Sequence, residues 1–460
     1  MTRQSKRTLI IIVGILVLLF AVALAYALAP SRTRAIALPA AGVATADQAT
    51  LVEQGRYVAI TADCVACHQA KGGQPYSGGL AVHSPIGNIY ATNITPDRDT
   101  GIGNYTLDDF DRAVRHGIRN DGTTLYPAMP YPSYAKMSDG DIRALYAFFM
   151  HAVTPVKAAN RDPDIRWPLS MRWPLAIWRK TFAPGDMAPL ALSTYQSAQL
   201  ARGAYLVQGP GHCGTCHTPR AVTMQEKALD ESGSDFLAGG PLIDGWRAVN
   251  LRGDPVDGLG RQNAQDIVDT LRTARNRQGA VVGGPMMDVV YHSTQNMNDG
   301  DVQAIAAYLK SLPAHGGGKA RFQPTDATTK ALAAGQDTTR GAQLWLDNCN
   351  ACHRVDGGNS VNKAFPVLPG NPTVLADDPT SLIRLILAGS RLPTTHQRPS
   401  DLAMPGFGWR LSDDETAQLV NFVRNSWGNH APEASASEVA KVRKELKENG
   451  GRDMDQANTH

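Results

Sequence analysis

The chain has no cysteine to spare. Its 460 residues hold six, and all six fall in three Cys-x-x-Cys-His strings: Cys64-Val65-Ala66-Cys67-His68, Cys213-Gly214-Thr215-Cys216-His217 and Cys349-Asn350-Ala351-Cys352-His353. Nothing remains for a disulfide framework. An excess of charge is also missing. The 45 Lys and Arg against 42 Asp and Glu leave a net +3, which points to no nucleic-acid partner. No second C-x-x-C pair or spaced histidine pair repeats beside the strings, as a zinc site of this size would need. Redox C-x-x-C motifs of the thioredoxin kind lack the adjoining histidine. Covalent haem attachment is the chemistry that needs this spacing. Two thiols add across the two vinyl groups of one porphyrin, and the next residue projects an imidazole onto the iron.

Length and repetition agree on three domains. At roughly 150 residues per domain, 460 residues suggest three. Each string sits in the same frame. A helix pattern precedes it: Gly55-Arg56-Tyr57-Val58, Gly203-Ala204-Tyr205-Leu206 and Gly341-Ala342-Gln343-Leu344. The glycine is expected where the last helix of the module crosses the first. A second helix closes each copy, with Ser138, Asn298 and Ser412 as N-caps and Asp141, Asp301 and Glu415 three residues on. The apolar stripes of these closing helices read as core. Modules are expected at 48–158, 195–315 and 336–430, giving an all-α chain. A Trp-rich stretch, Arg166 to Phe182, separates the first two and suits a membrane interface, a partner surface or a strap. His315-Gly316-Gly317-Gly318-Lys319 reads as a flexible linker. Residues 431–460 form a polar tail, a loose helix or disordered.

Arg3, Lys6 and Arg7 precede an apolar run over residues 9–29. As a helix the run is about 31 Å long, enough to cross a bilayer core. It exceeds the apolar core of a secretory signal. Ala25-Tyr26-Ala27 and Ala27-Leu28-Ala29 offer small-residue cleavage patterns, the second obstructed by Pro30. The reading favours a retained transmembrane helix over a removed signal. Either sends the remainder across the membrane, because the basic flank stays inside. Residues 31–47 read as a tether.

A haem iron that only moves electrons takes a soft thioether opposite the imidazole, which raises its potential. Each module offers a methionine on a Pro-flanked loop before its closing helix: Met129, Met286 or Met287, and Met404. His116, His292 and His396 compete, but nothing repeats about them. Three six-coordinate irons would leave no open position for a substrate. The rivals are a peroxidase-like enzyme with one open distal site, the second module being the suspect, and a terminal-oxidase subunit.

These residues carry a resemblance over roughly 50–430. The strings Ala62-Asp63-Cys64 to His68, Asn88-Ile89-Tyr90-Ala91-Thr92-Asn93-Ile94-Thr95-Pro96 and Tyr126-Pro127-Ala128-Met129-Pro130-Tyr131 resemble the membrane-bound tri-haem cytochrome c subunits of periplasmic dehydrogenases for alcohol, aldehyde, gluconate, sorbitol and fructose. His212-Cys213 to Arg220, Gly284-Pro285-Met286, Cys352-His353 and Met404-Pro405 carry the same likeness. The resemblance implies three class I cytochrome c domains with three covalent haem c groups. It implies no substrate-oxidising site in this chain, and Met286 ahead of Met287 as ligand. It also implies a catalytic partner subunit bearing a quinone, flavin or molybdenum cofactor, delivery of electrons to ubiquinone, and haem domains on the periplasmic side of the inner membrane. Several relatives carry a C-terminal anchor; here the apolar element is N-terminal.

Overall fold

The computed structural model describes residues 3–37, 47–183, 185–277, 279–316, 321–358 and 365–448. The chain divides into two compact units: Met1–Ala59 with Cys67–Ala191, and Ile60–Ala66 with Leu192–His460. Helices dominate. Three two-stranded antiparallel sheets qualify the all-α expectation. They are two to four residues per strand, too short for periodicity in the sequence to reveal.

In the first unit, α1 (Arg3–Leu28) is exposed along its apolar length and long enough to cross a membrane. Helix α2 (Gln48–Thr61) leads into the helical turn Cys64–Cys67. The hairpin β1 (Ala81–Ser84) and β2 (Gly87–Tyr90) follows, with Val82 opposite Ile89. Helix α3 (Leu107–His116) starts on a capping box, Thr106 with Asp109, and stops at Gly117, whose φ of 62° a side chain would strain. Helix α4 (Asp139–His151) is capped by Ser138 and buries Ile142, Leu145, Phe148 and Phe149. A Cβ on Gly55 would fall on the Ala144 carbonyl, so α2 and α4 cross at backbone contact.

The stretch expected to be a tether is pinned over its first seven residues. Asp139 takes an ion pair from Arg34 and a 2.9 Å hydrogen bond from the Ala37 N–H. The Arg34 N–H donates to the Gly185 carbonyl at 2.8 Å. Residues 38–46 lie outside the described residues. The Trp-rich stretch contains a helix, α5 (Trp173–Phe182), packed beside α1.

In the second unit, α6 (Ala198–Gln208), the hairpin β3 (Leu242–Ile243) and β4 (Trp246–Arg247), α7 (Ala264–Thr273) and α8 (Asp299–Ser311) repeat this order. Helix α7 again starts on a capping box, Asn263 with Asp266, and ends at a left-handed residue, Ala274. A Cβ on Gly203 would meet the Ala304 carbonyl. Helices α9 (Arg340–Asn348), α10 (Thr380–Ala388) and α11 (Asp413–Arg424) follow, with β5 (Gly389–Arg391) paired to β6 (Ala403–Pro405). Gly341 lies 2.8 Å, by its missing Cβ, from the Gln418 carbonyl. Thus all three glycines sit at the expected crossings. Most of the Gly-rich linker lies outside the described residues. Within the polar tail, α12 (Ala436–Glu448) buries Val439 and Val442 against α10 and α11, and residues 449–460 lie outside the described residues.

Candidate haem sites

Each Cys-x-x-Cys-His string is wound into one helical turn at the end of the module's first helix. Asp63 and His212, immediately before the first cysteine, take positive φ values of 50° and 36° and reverse the chain there. The third copy does without this kink, since α9 runs directly into the turn Asn350–His353. None of the six cysteines is in a disulfide, and among the described residues no three His, Cys, Asp or Glu side chains converge as a metal cluster.

The three histidines share one feature. His68 Nδ1 lies 2.6 Å from the Thr92 carbonyl oxygen, His217 Nδ1 2.7 Å from that of Val249, and His353 Nδ1 3.2 Å from that of Pro366. A carbonyl only accepts, so Nδ1 carries the proton and donates, and Nε2 keeps its lone pair. Metal-bound imidazoles are oriented in this way, their second nitrogen donating to a carbonyl or carboxylate. Burial holds all three rings below the ordinary imidazole range, against the opposing pull of the carbonyls, so they are neutral at pH 7. Burial also pushes the Cys213 and Cys349 thiols up to about 12 and Cys216 to about 11. Neutral thiols beside a neutral imidazole fit thioether formation and do not fit a thiolate redox pair, whose pKa is lowered. The residues present therefore fit a covalent haem.

The carbonyls are themselves held in place. Asn93, 2% exposed, follows Thr92; it donates through Nδ2 to the Val156 carbonyl at 2.7 Å and accepts from the Thr95 N–H at 2.9 Å. Asn250 follows Val249 in the same way, accepting from the Arg252 N–H at 2.8 Å and donating to Asp254 at 2.8 Å. The sequence shows Asn93 only within the Asn88 to Pro96 stretch and does not mark Asn250. The signal is Asn directly after the carbonyl residue in the first two copies, where Val367 stands in the third, and it is hidden because that carbonyl lies 24, 32 and 13 residues beyond the histidine.

Each methionine follows its module's middle helix. Met129 lies in a turn between buried Tyr126 and Tyr131, its N–H bonded to the Tyr126 carbonyl. Met286 opens a short helical turn and is half-buried, whereas Met287 is 6% exposed. Gly283 and Gly284 press against the face of Trp246, leaving no room for a Cβ. Met404 lies in β6 opposite Ser390 and packs on the core of the third module. The competing histidines have other surroundings. His116 is buried at the end of α3, 3.9 Å from Asp111. His292 stacks edge-on against Tyr291. His396 Nε2 is 3.0 Å from Asn296 Oδ1.

Comparison with known proteins agrees with this chemistry. The cytochrome c family model matches residues 52–152 and 338–427. The chain is 53% identical to the gluconate 2-dehydrogenase cytochrome c subunit of Pantoea cypripedii, over 87% of this chain and 91% of that one. It is also 53% identical to the cytochrome c subunit of the quinone alcohol dehydrogenase of Gluconobacter oxydans, over 89% and 85%. The fructose dehydrogenase cytochrome subunit of Gluconobacter japonicus is 38% identical, over 85% and 82%. The protein is thus a c-type cytochrome, an electron-transfer protein with covalently bound haem. More narrowly, it belongs to the family of cytochrome c subunits of membrane-bound gluconate, alcohol and fructose dehydrogenases.

Proposed function

We propose that this chain carries three haem c groups and relays electrons from a catalytic dehydrogenase subunit to ubiquinone, with its haem domains on the periplasmic face of the inner membrane. The three domains correspond to 48–158, 195–315 and 336–430. Cys64 and Cys67, Cys213 and Cys216, and Cys349 and Cys352 form the thioethers. His68, His217, His353, Met129, Met286 and Met404 would hold the three irons. The threefold pairing of imidazole Nδ1 with a backbone carbonyl carries the reading, because one arrangement built on three different loop lengths serves one chemistry. The second copy lies outside the residues matched by the family model, yet it has the same turn, carbonyl and helix crossing.

Bound haem c supplies reversible one-electron transfer between ferric and ferrous iron. The chain's part is to hold each imidazole in one tautomer, exclude water with the buried helix crossings, and present a thioether. A soft sulfur ligand together with imidazole would favour the reduced iron and leave no position for a substrate. Relatives named as dehydrogenase subunits support a catalytic partner of that type. The long exposed apolar α1 supports a membrane anchor.

The test is haem stoichiometry in the matured full chain, read from the pyridine haemochrome and from intact mass. Three covalent haems are expected, falling to two in Cys213→Ala/Cys216→Ala. A wild type with two would remove the second module from the relay. Reduction of a ubiquinone analogue by the purified complex, and its loss when this subunit is omitted, tests the electron exit.

A further inference from the structure

Helix α5 and the turn before it have a relation to α1 that fixes their depth. Trp173, the first residue of α5, stacks edge-on against Phe20 at 5.6 Å. Seven residues later, Lys180 Nζ donates to the carbonyls of Ala27 and Ala29 at 3.2 and 2.7 Å, closing the end of α1. The two helices therefore run side by side in the same direction. Phe20 lies eight residues below Leu28, about 12 Å at 1.5 Å per residue. Below Phe20 the apolar run from Leu9 is only about 16 Å long, roughly half of a 30 Å hydrocarbon core. If α1 spans, its Phe20–Leu28 portion must be in the bilayer, and α5 goes in beside it.

The turn that leads into α5 has the surface such a position requires. Trp167 is 78% and Leu169 58% exposed, and Met171 is also exposed. They form an apolar tip ahead of Trp173, away from the end of α1 to which Lys180 donates. Two arginines flank the tip: Arg166, exposed directly before Trp167, and Arg172, turned back onto the ring of Tyr126 at 4.2 Å, and both have the long stem by which a guanidinium snorkels out of lipid. Trp178 meets Tyr131 edge-on at 6.3 Å. Both tyrosines border the loop that carries Met129.

We propose that residues 167–182 form a re-entrant element, with the Trp167–Met171 tip in the acyl region of the leaflet on the haem side. The chain dips in beside α1 and returns through α5, so the Met129 loop of the first module is held at the membrane surface. The proposal rests on the reading that α1 spans the membrane.

Single cysteines carrying a benzophenone maleimide test it in the full chain in vesicles of phosphatidylethanolamine and phosphatidylglycerol. Leu169→Cys tests the tip, and Val17→Cys tests the span. Val222→Cys lies on a fully exposed loop and is the aqueous control. Position 169 should photo-cross-link to phospholipid as position 17 does, and position 222 should not. A charged, water-soluble maleimide should modify Leu169→Cys at least about tenfold more slowly than Val222→Cys, because the probe must leave water to reach it. Lipid cross-links at 17 with none at 169, or equal modification rates at 169 and 222, would overturn the re-entrant element and leave the span standing. No lipid cross-link at 17 would remove the span and this proposal with it. An unchanged haem spectrum in each variant keeps misfolding from imitating any of these results.

Discussion

One missing methyl group governs each helix crossing. At Gly203 a Cβ would overlap the Ala304 carbonyl, whereas at Gly140 the nearest atom is the Ser138 hydroxyl at 3.6 Å. Gly203→Ala should therefore destabilise the protein by about 1–3 kcal/mol despite alanine's better helix propensity. Gly140→Ala should be neutral or slightly stabilising, and denaturant unfolding of the two variants side by side checks the contrast. Asp139 is the second residue with a defined expectation. Burial works to raise its pKa, but hydrogen bonds from Arg34, the Ala37 N–H and Arg115 outweigh it and hold the group at about 2. A depressed folded pKa stabilises above the unfolded value near 4 and loses that contribution as pH falls towards 2. Asp139→Asn should cost about 1–3 kcal/mol at neutral pH. Its deficit in melting temperature against wild type should shrink between pH 4 and pH 2. At this scale the crossing glycines were legible, because type and spacing identify them. Asn93 and Asn250 were not, because each is tied to its histidine through a loop of different length.

Among the elements, α12 has the clearest consequence. Its charged sequence hides a two-valine seam, and Arg443 pins it by donating to Asp413 and to the Leu411 carbonyl at 2.7 and 2.8 Å. Val439→Asp places an unpaired carboxylate in a fully buried position. Helix α12 should detach, and limited proteolysis should cut after residue 435 at an enzyme level that leaves wild type intact. Persistence of the uncut chain would show that the seam does not hold the helix. The hairpin β3–β4 is also more than a connection: Arg247 pairs with Asp378, and its N–H donates to Ser381 Oγ at 3.0 Å. The hairpin of the second module thereby grips α10 of the third. Neither contact can be inferred from a two-residue strand, since it depends on a partner more than 130 residues away.

For the molecule as a whole, the proposed thioether ligation at all three imidazoles would close every iron to exogenous ligands. The dithionite-reduced full chain should bind carbon monoxide far below one equivalent, followed by the shift of the Soret band. Rapid uptake of one equivalent by the intact protein would mark one haem as an open, catalytic site and favour a peroxidase-like role. The sequence by itself determined the chemistry: cysteine, cysteine and histidine at fixed spacing form a covalent contract within five residues, and a long apolar run bounded by positive charge needs no partner to be read. Tertiary structure alone decided which carbonyl orients each imidazole, that Arg34, Ala37 and α12 are bound, and that α5 lies against α1. Those outcomes depend on contacts between residues far apart in the chain, and no local pattern encodes which distant surface a short helix or loop will meet.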